Sequence, residues 1–320
     1  MPELPHDAEL LSWLEGLFPE RQGELHVGSP HPLARSNLVR PIHTGDSATP
    51  IAILKSSPTN PSRLLPEQHA LTTIEELGIG DTPTLLGACT GHVVLSYVPH
   101  RSPATSCLTI DLAGALGRWL ARAHAAIPPP SSRMKLLHDP LPLPQRLERI
   151  LAKATRRAFK RTLADAPRQR QLVQDAATRF EQLLTLPHVV SHLLQKRVVH
   201  RDLNPENILV RDDPDHAIAV IDFERAAATA PAWDFAKLCW WVFDALPDRD
   251  HLLRACLDAY GENLEPPPSH CIELFQLFEA TTLLCYFETP CYVRPAERIL
   301  EALLQLPVDE PRQLRDLPSW

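Results

Sequence analysis

Several absences narrow the reading of this chain. No run of about 18 apolar residues occurs, so no membrane span is expected. The N-terminal stretch MPELPHDAELLSWLEGLF has no basic segment followed by a long apolar core, and so does not read as a secretion signal. Basic charge is not in excess: 32 Lys and Arg against 39 Asp and Glu leave a net charge of −7. A nucleic-acid binder with a general basic surface is therefore not favoured. The 7 cysteines are odd in number and contain no C-x-x-C pair, which argues against zinc and disulfide frameworks. Buried, reduced thiols in a cytoplasmic protein are the plain reading. Glycine is scarce, at 11 residues, and no internal repeat is visible.

Proline is abundant instead, at 33 residues, with PPP at 128–130 and 266–268 marking connections between helical patterns. A hydrophobic content of 44% over 320 residues supports one large domain or two lobes. Asp7 is placed to cap a helix carrying Leu10, Leu11, Leu14, Leu17 and Phe18 on one face. Short strands are expected at about 24–28, 37–43 and 51–55, the last reading IAILK. PEQHALTTIEELG follows, with Glu67, Ala70, Leu71, Ile74 and Leu77 at helical spacing and Gly78 as a stop. HVVLSYV at 92–98 is another strand, ended by Pro99. Beyond Pro103 the period turns helical: Leu112, Leu116, Trp119, Leu120 and Ala123 share a stripe, and 146–190 continues that way. AIAVIDF at 217–223 reads as a strand, and helices return from Asp234. The expectation is a small strand-rich N-terminal lobe, residues 1–99, and a larger mostly helical lobe, residues 100–320.

The densest polar cluster is VVHRDLNPENILV at 198–210, which reads H-R-D-x-x-x-x-N through His200, Arg201, Asp202 and Asn207. Fifteen residues after Asn207 comes Asp222, inside I-D-F-E. A well-capped loop is the plain alternative. Moving a phosphoryl group from ATP needs a carboxylate to orient or deprotonate the attacking hydroxyl, and oxygen ligands that hold magnesium against the phosphates. The arrangement is that of the known protein-kinase signature, and the roles follow that signature. Such a site also needs a lysine and a partner acid. Lys55 ends the strand IAILK, and Glu67 lies on the apolar stripe of the next helix. An inward Glu without a partner would be costly. The two are therefore expected to pair, the alternative being Lys55 as a solvated strand end.

Taken together, Lys55, Glu67, H-R-D-x-x-x-x-N, I-D-F and the later W-D resemble the aminoglycoside phosphotransferase and choline kinase group. The resemblance covers roughly residues 25–245 and is best over 198–235. It implies an α+β, bilobal, protein-kinase-like fold with a small antiparallel-sheet lobe and a larger helical lobe. It implies Asp202 as catalytic base, and Asn207 and Asp222 as magnesium ligands. It further implies Ser36 and Asn37 in the nucleotide loop, and backbone groups near Ser96 and Val98 against adenine. ATP and Mg2+ are the cofactors it implies.

Two features separate small-molecule from protein kinases. Protein kinases carry lysine two residues after the catalytic aspartate, where this chain has Asn204. Only twelve steps separate Asp222 from Asp234, too few for a long activation segment and an A-P-E stretch. Arg201 is a departure toward the protein kinases, since glycine is commoner there in the small-molecule group. Asp234 is expected to cap the following helix and tie back to the catalytic loop. The loop at 28–37 has one glycine, Gly28, and D-F-G is replaced by Asp222-Phe223-Glu224. Glu224 either assists magnesium or, the preferred reading, points to solvent. These changes keep a pseudokinase-like nucleotide-binding module as an alternative.

For the acceptor, charge runs are the guide. Residues 146–170 hold nine Lys or Arg and two acids, whereas 258–310 hold ten acids and two arginines. Solvated helix faces account for such runs most simply. If functional, the acidic helices suit a cationic hydroxyl acceptor, an amino sugar or amino alcohol. The basic run suits an anionic or protein partner, or neutralises the acidic part. Trp240, Trp241, Tyr260, Phe275, Phe278, Tyr286, Phe287 and Tyr292 read as helix core, with a cage for a quaternary ammonium as the alternative.

Overall fold

The computed structural model describes residues 7–31, 37–103, 108–129, 133, 143–160, 167–213, 215–242, 246, 248–286 and 290–307. The chain opens with α1 (Asp7–Leu17), then β1 (Leu25–Val27), β2 (Leu38–Thr44) and β3 (Ala52–Ser56). Next come α2 (Leu65–Glu76), β4 (Leu85–Cys89) and β5 (His92–Ser96). The five strands form one antiparallel sheet in the order β1-β2-β3-β5-β4. Leu14 of α1 packs with Ile42, Leu54 and Val94 in a small core on this sheet, and all four are fully buried. Each such side chain contributes about 1.5–3 kcal/mol by leaving water. Gly28 makes the close approach of the β1–β2 connection possible, since a Cβ there would lie 2.8 Å from Pro41 Cγ.

The helical lobe begins at β6 (Ser102–Pro103) and α3 (Ile110–Ala125), whose N-cap Thr109 accepts from Leu112 N–H. Its other helices are α4 (Leu143–Lys160), α5 (Pro167–Leu184) and α6 (Pro187–Leu193). After β7 (Arg197–Val199), β8 (Ile208–Val210), β9 (Ile218–Val220) and β10 (Ala227–Thr229) come α7 (Ala232–Lys237), α8 (Arg249–Gly261), α9 (Ser269–Tyr286) and α10 (Pro290–Leu304). The 146–190 region is thus three helices, α4 to α6. Strand β9 ends at Val220, earlier than the apolar run suggests, because Ile221 N–H donates to Asn207 O and Asp222 turns into a 3-10 segment. Helix α9 is buried on nearly every face, which explains its continuous apolar composition. Helices α3 and α8 cross so closely at Gly117 that a Cβ there would meet Cys256 O at 2.1 Å.

Two small sheets carry the polar loops. β8 pairs with β9 and β6, and β10 pairs with β7. The fold is therefore α+β and bilobal, a five-stranded antiparallel sheet lobe joined to a helical lobe. Among the described residues, no helix is long and apolar enough to cross a membrane.

Candidate active site

Register explains why Lys55 faces Glu67. In β3, Lys55 pairs across to Val39 and Val93, so it is a central residue of the sheet, and its side chain emerges toward α2. Glu67 sits in the first turn of α2, fully buried. Lys55 Nζ donates to Glu67 Oε1 at 2.7 Å and Oε2 at 3.0 Å. The same ammonium donates to Asp222 Oδ1 at 2.8 Å. Burial alone would lower the Lys55 pKa, but the Glu67 and Asp222 carboxylates outweigh it and hold the group above the usual lysine range. Burial raises the Glu67 pKa against the pull of Lys55. For Asp222 burial acts upward too, yet Lys55 wins and the carboxyl lies below its usual value. One cation thus serves two carboxylates, and the Asp222 side chain is 33% exposed.

The turn that carries Asp222 is strained. Asp222 adopts φ 66°, in the left-handed region that L side chains rarely occupy. It is held there by the sheet lobe. Besides the Lys55 contact, Phe223 N–H donates to Glu67 Oε1 at 3.2 Å. Glu224 Oε2 accepts from Asn37 Nδ2 at 3.1 Å and lies 3.7 Å from Arg63 Nε. The expectation that Glu224 points to solvent is corrected: its side chain is 14% exposed and partnered across the two lobes.

The second polar strip is the loop from His200 to Asn207. Arg201 also has a positive φ, 67°, which accounts for the frequency of glycine at this place in the resembling group. Asp234 supports that bend: its carboxylate accepts from His200 N–H at 2.9 Å and Arg201 N–H at 2.7 Å. It also takes His124 Nε2 at 3.1 Å, and His124 Nδ1 in turn meets Tyr260 Oη at 3.2 Å. Asp234 does tie back to the loop, but it is not the cap. Helix α7 starts after Pro231 with no side-chain cap, and Asp234 aims sideways at the loop. His200 Nε2–H donates to Ile221 O at 2.8 Å, so its Nδ1 is left to accept from Asp202 N–H at 3.3 Å. Asn204 Oδ1 accepts from the N–H of Glu206 and Asn207, closing a one-turn 3-10 segment. Asn207 Nδ2 donates to Asp202 O at 3.0 Å. Because an amide's oxygen and nitrogen diverge, that bond turns Asn207 Oδ1 away from Asp202. The Asp202 carboxylate is partly open, with Arg225 Nε 3.6 Å from its Oδ2.

These donors fit a magnesium that arrives with phosphates. Among the described residues no group of three or more His, Cys, Asp or Glu side chains is placed to hold a metal by itself. One carboxylate and one amide oxygen, completed by phosphate oxygens and water, is the ordinary setting of Mg2+. Of the other expected positions, Ser36 lies outside the described residues. Asn37 ends the β1–β2 connection. Ser96 N–H donates to Thr84 O at 2.9 Å, and Ser96 Oγ accepts from Thr84 N–H at 2.8 Å. Val98 O accepts from His100 Nδ1 at 2.8 Å.

Beside the catalytic loop lies a group that motif reasoning missed. The Arg201 guanidinium stacks 4.1 Å from the Trp233 ring centroid. Trp233 Nε1 and Lys237 Nζ both donate to Glu279, each at 2.9 Å. Burial opposes ionisation of Glu279, but Lys237 prevails and holds its pKa low. The signal was available, since Trp233 and Lys237 stand four apart on one helix face next to Asp234.

Four acids of the acidic run are tied up by partners on other helices. Glu273 pairs with Arg179 at 2.6 Å, and Glu301 is bonded to Arg168. Glu297 takes Gln169 Nε2 at 2.7 Å, and Glu279 is the acid already tied to Lys237. These four acids are engaged by α5 and α7, with Arg168 the partner cation that comes from the basic 146–170 run, so a charge argument for a cationic acceptor does not rest on them. The aromatic set follows the core reading for Trp240, Tyr260, Phe275 and Phe278, which are buried. Tyr286 is exposed, and the Trp241 and Phe287 side chains lie outside the described residues.

This fold and this loop define a kinase-like phosphotransferase class, and known proteins agree. The family model for the phosphotransferase enzyme family matches residues 29–268, so the chain belongs to that family. Choline kinase LicA from Streptococcus pneumoniae has a similar structure, with TM-score 0.63 and 15% identity over 92% of this chain and 98% of that one. Macrolide 2'-phosphotransferase MphH from Brachybacterium faecium gives 0.60 and 18%, over 94% and 100%. A spectinomycin phosphotransferase in complex with ADP and spectinomycin gives 0.57 and 12%, over 99% and 98%. At these identities the likeness concerns the fold. No curated protein matches the chain in sequence.

Proposed function

We propose that this protein moves the γ-phosphoryl group of ATP to a hydroxyl of a small molecule, with Mg2+. The observation that carries the reading is Lys55 held between Glu67 and Asp222, one cation against two carboxylates with one of them partly open. That excess negative charge beside a fixed ammonium suits a divalent cation and a triphosphate together. Asn207 Oδ1 and Asp222 would hold the magnesium, which neutralises charge on the phosphates when bound. Lys55 orients the phosphates, the sheet lobe (residues 1–99) receives the nucleotide near Asn37, Ser96 and Val98, and residues 100–320 receive the acceptor. Asp202 takes the acceptor's hydroxyl proton as its oxygen bonds to the γ-phosphorus. The bond from that phosphorus to the β–γ bridging oxygen breaks, and ADP leaves with the electron pair.

A small acceptor follows from residues 223–231. They form a 3-10 turn and then β10, which is buried and paired to β7, and α7 follows at once. No length remains to present a peptide. Several structural neighbours are named for choline, macrolide and spectinomycin phosphorylation. An amino sugar or amino alcohol is accordingly the acceptor type proposed, now on likeness of fold without help from the acidic run. ATP use and reduced cysteines, among them buried Cys239, Cys256, Cys271 and Cys285, suit the cytoplasm. The test is a thermal-shift screen with Mg·ATP and a panel of hydroxyl compounds, followed by ADP release for each hit. ADP release that needs both a hit and Asp202 supports the reading; nucleotide binding without transfer to any hit points to a pseudokinase.

A further inference from the structure

We propose that Glu224 is a positioning residue that aligns the sheet carrying Lys55 with the turn carrying Asp222, an assignment resting on the phosphotransferase reading above. Its two partners belong to the elements that deliver the lysine and the acid. Asn37 directly precedes β2, and β2 pairs with β3 so that Val39 stands opposite Lys55. Arg63 lies in the 3-10 turn Pro61–Leu64 that runs into α2, four residues before Glu67.

The three residues of the turn therefore each carry at least one link to the sheet lobe. Asp222 is linked through Lys55, Phe223 through its N–H to Glu67, and Glu224 through Asn37 and Arg63. The first of these is the one that phosphates and magnesium would contest, because they need the same ammonium and the same carboxylate. The Glu224 link does not involve those groups, so it holds the alignment while the Lys55–Asp222 contact is exchanged. Asn37 Nδ2 serves Glu224, and its Oδ1 is buried with no hydrogen-bond partner among the described residues, so the Glu224 bond is the one that fixes this side chain here. A glycine in place of Glu224, the usual third residue of the motif, could make no such link.

The experiment is a double-mutant cycle on Glu224 and Asn37, read as the Kd for Mg·ATP by calorimetry and as kcat at saturating ATP. Glu224→Ala and Asn37→Ala should each weaken Mg·ATP binding about tenfold, the size expected for a hydrogen bond to a charged group. The double variant should be no worse than either single one, and kcat of Glu224→Ala should stay within about threefold of wild type, since a positioning loss falls on binding. Glu224→Gln, which keeps the acceptor oxygen, should restore most of the affinity. Multiplicative losses overturn the inference. So does a Glu224→Gln variant as impaired as Glu224→Ala with a shifted magnesium dependence, which would make Glu224 a metal ligand instead. Amide hydrogen exchange of the free protein gives a readout without nucleotide. Exchange at the start of β2 should rise in Glu224→Ala and not in Glu224→Gln. If that difference appears while no acceptor is phosphorylated, the functional reading fails and the alignment stands; if it is absent while ATP is turned over, the alignment alone fails.

Discussion

Two of the buried ion pairs among the described residues, one in the sheet lobe and one in the helical lobe, differ in make-up, and only the first has that of a site. In the helical lobe Arg179 and Glu273 are 5% and 1% exposed and face each other, and Arg179 also donates to Pro307 O at 3.2 Å. The pair is closed off from solvent. In the sheet lobe Lys55 faces Glu67 and Asp222 together, and Asp222 keeps an open side. Burial of charge is common to both, so burial does not distinguish them. The differences are the unequal count of charges, the strained backbone at Asp222 and the opening.

The largest expected effects are on the unequal side. Asp202→Asn removes the proton acceptor and should lower kcat by about 10²–10⁴-fold while leaving nucleotide affinity nearly unchanged. Wild-type turnover by this variant would remove Asp202 from the mechanism. Asp222→Ala should abolish the magnesium dependence of nucleotide binding, measured by calorimetry with and without the metal. Binding that still responds to magnesium as in wild type would take the metal away from Asp222.

Much of this site was legible because its logic is local. An acid on an apolar helical stripe after a strand-end lysine called for a partner, and Glu67 found Lys55. The loop from His200 to Asn207 is a single short segment, so its spacing survives in the sequence. What was not legible depends on distant contacts. Glu224 looked solvent-facing because Asn37 is 187 positions away and the reversal at Asp222 is invisible in residue type. Asp234 carried a plausible capping residue type, but the bend at Arg201 supplied it with two N–H donors first. The partner of Glu273 was hidden for a similar reason, since Arg179 lies nine residues past the basic 146–170 window.

On the balanced side the effect moves from rate to stability. Arg179→Ala leaves Glu273 buried without its charge partner and should cost about 3–5 kcal/mol, seen as a lower denaturation midpoint. The protein that remains folded should keep its kcat. Replacing both residues by Met or Leu should recover most of the loss, because two apolar groups need no desolvation offset. A single variant that instead lost activity at full stability would make this pair part of the site.

A buried group with no opposite charge gives the contrast a third case. Burial, aided by repulsion from His124, pushes His192 down to about 4 from an ordinary 6.5. The folded state thus binds fewer protons than the unfolded state over this interval. Its contribution is complete above pH 6.5, shrinks as pH falls, and is lost below about 4. His192→Leu should flatten the stability profile over that window by up to about 3 kcal/mol, as followed by urea midpoints. An unchanged slope would mean that His192 is not the group responsible.

The smallest effect expected is at the surface, where the acidic run meets α5. Arg168 and Glu301 are bonded but 75% and 38% exposed, and exposed pairs contribute about 0–1 kcal/mol. Arg168→Ala should therefore barely move the melting temperature. The more informative variant is Glu301→Gln with Glu297→Gln. Both acids are engaged along α5, so neutralising them should leave kcat/KM for a cationic acceptor within about twofold at any salt, whereas charges that steer a ligand act through a field that salt screens. A loss seen with a cationic acceptor, absent with a neutral one and abolished by salt, would return the acidic run to the acceptor cleft. Without that pattern, the side chains to vary for acceptor choice are those that stand against the catalytic loop, Arg225 beside Asp202 and Trp233 stacked on Arg201.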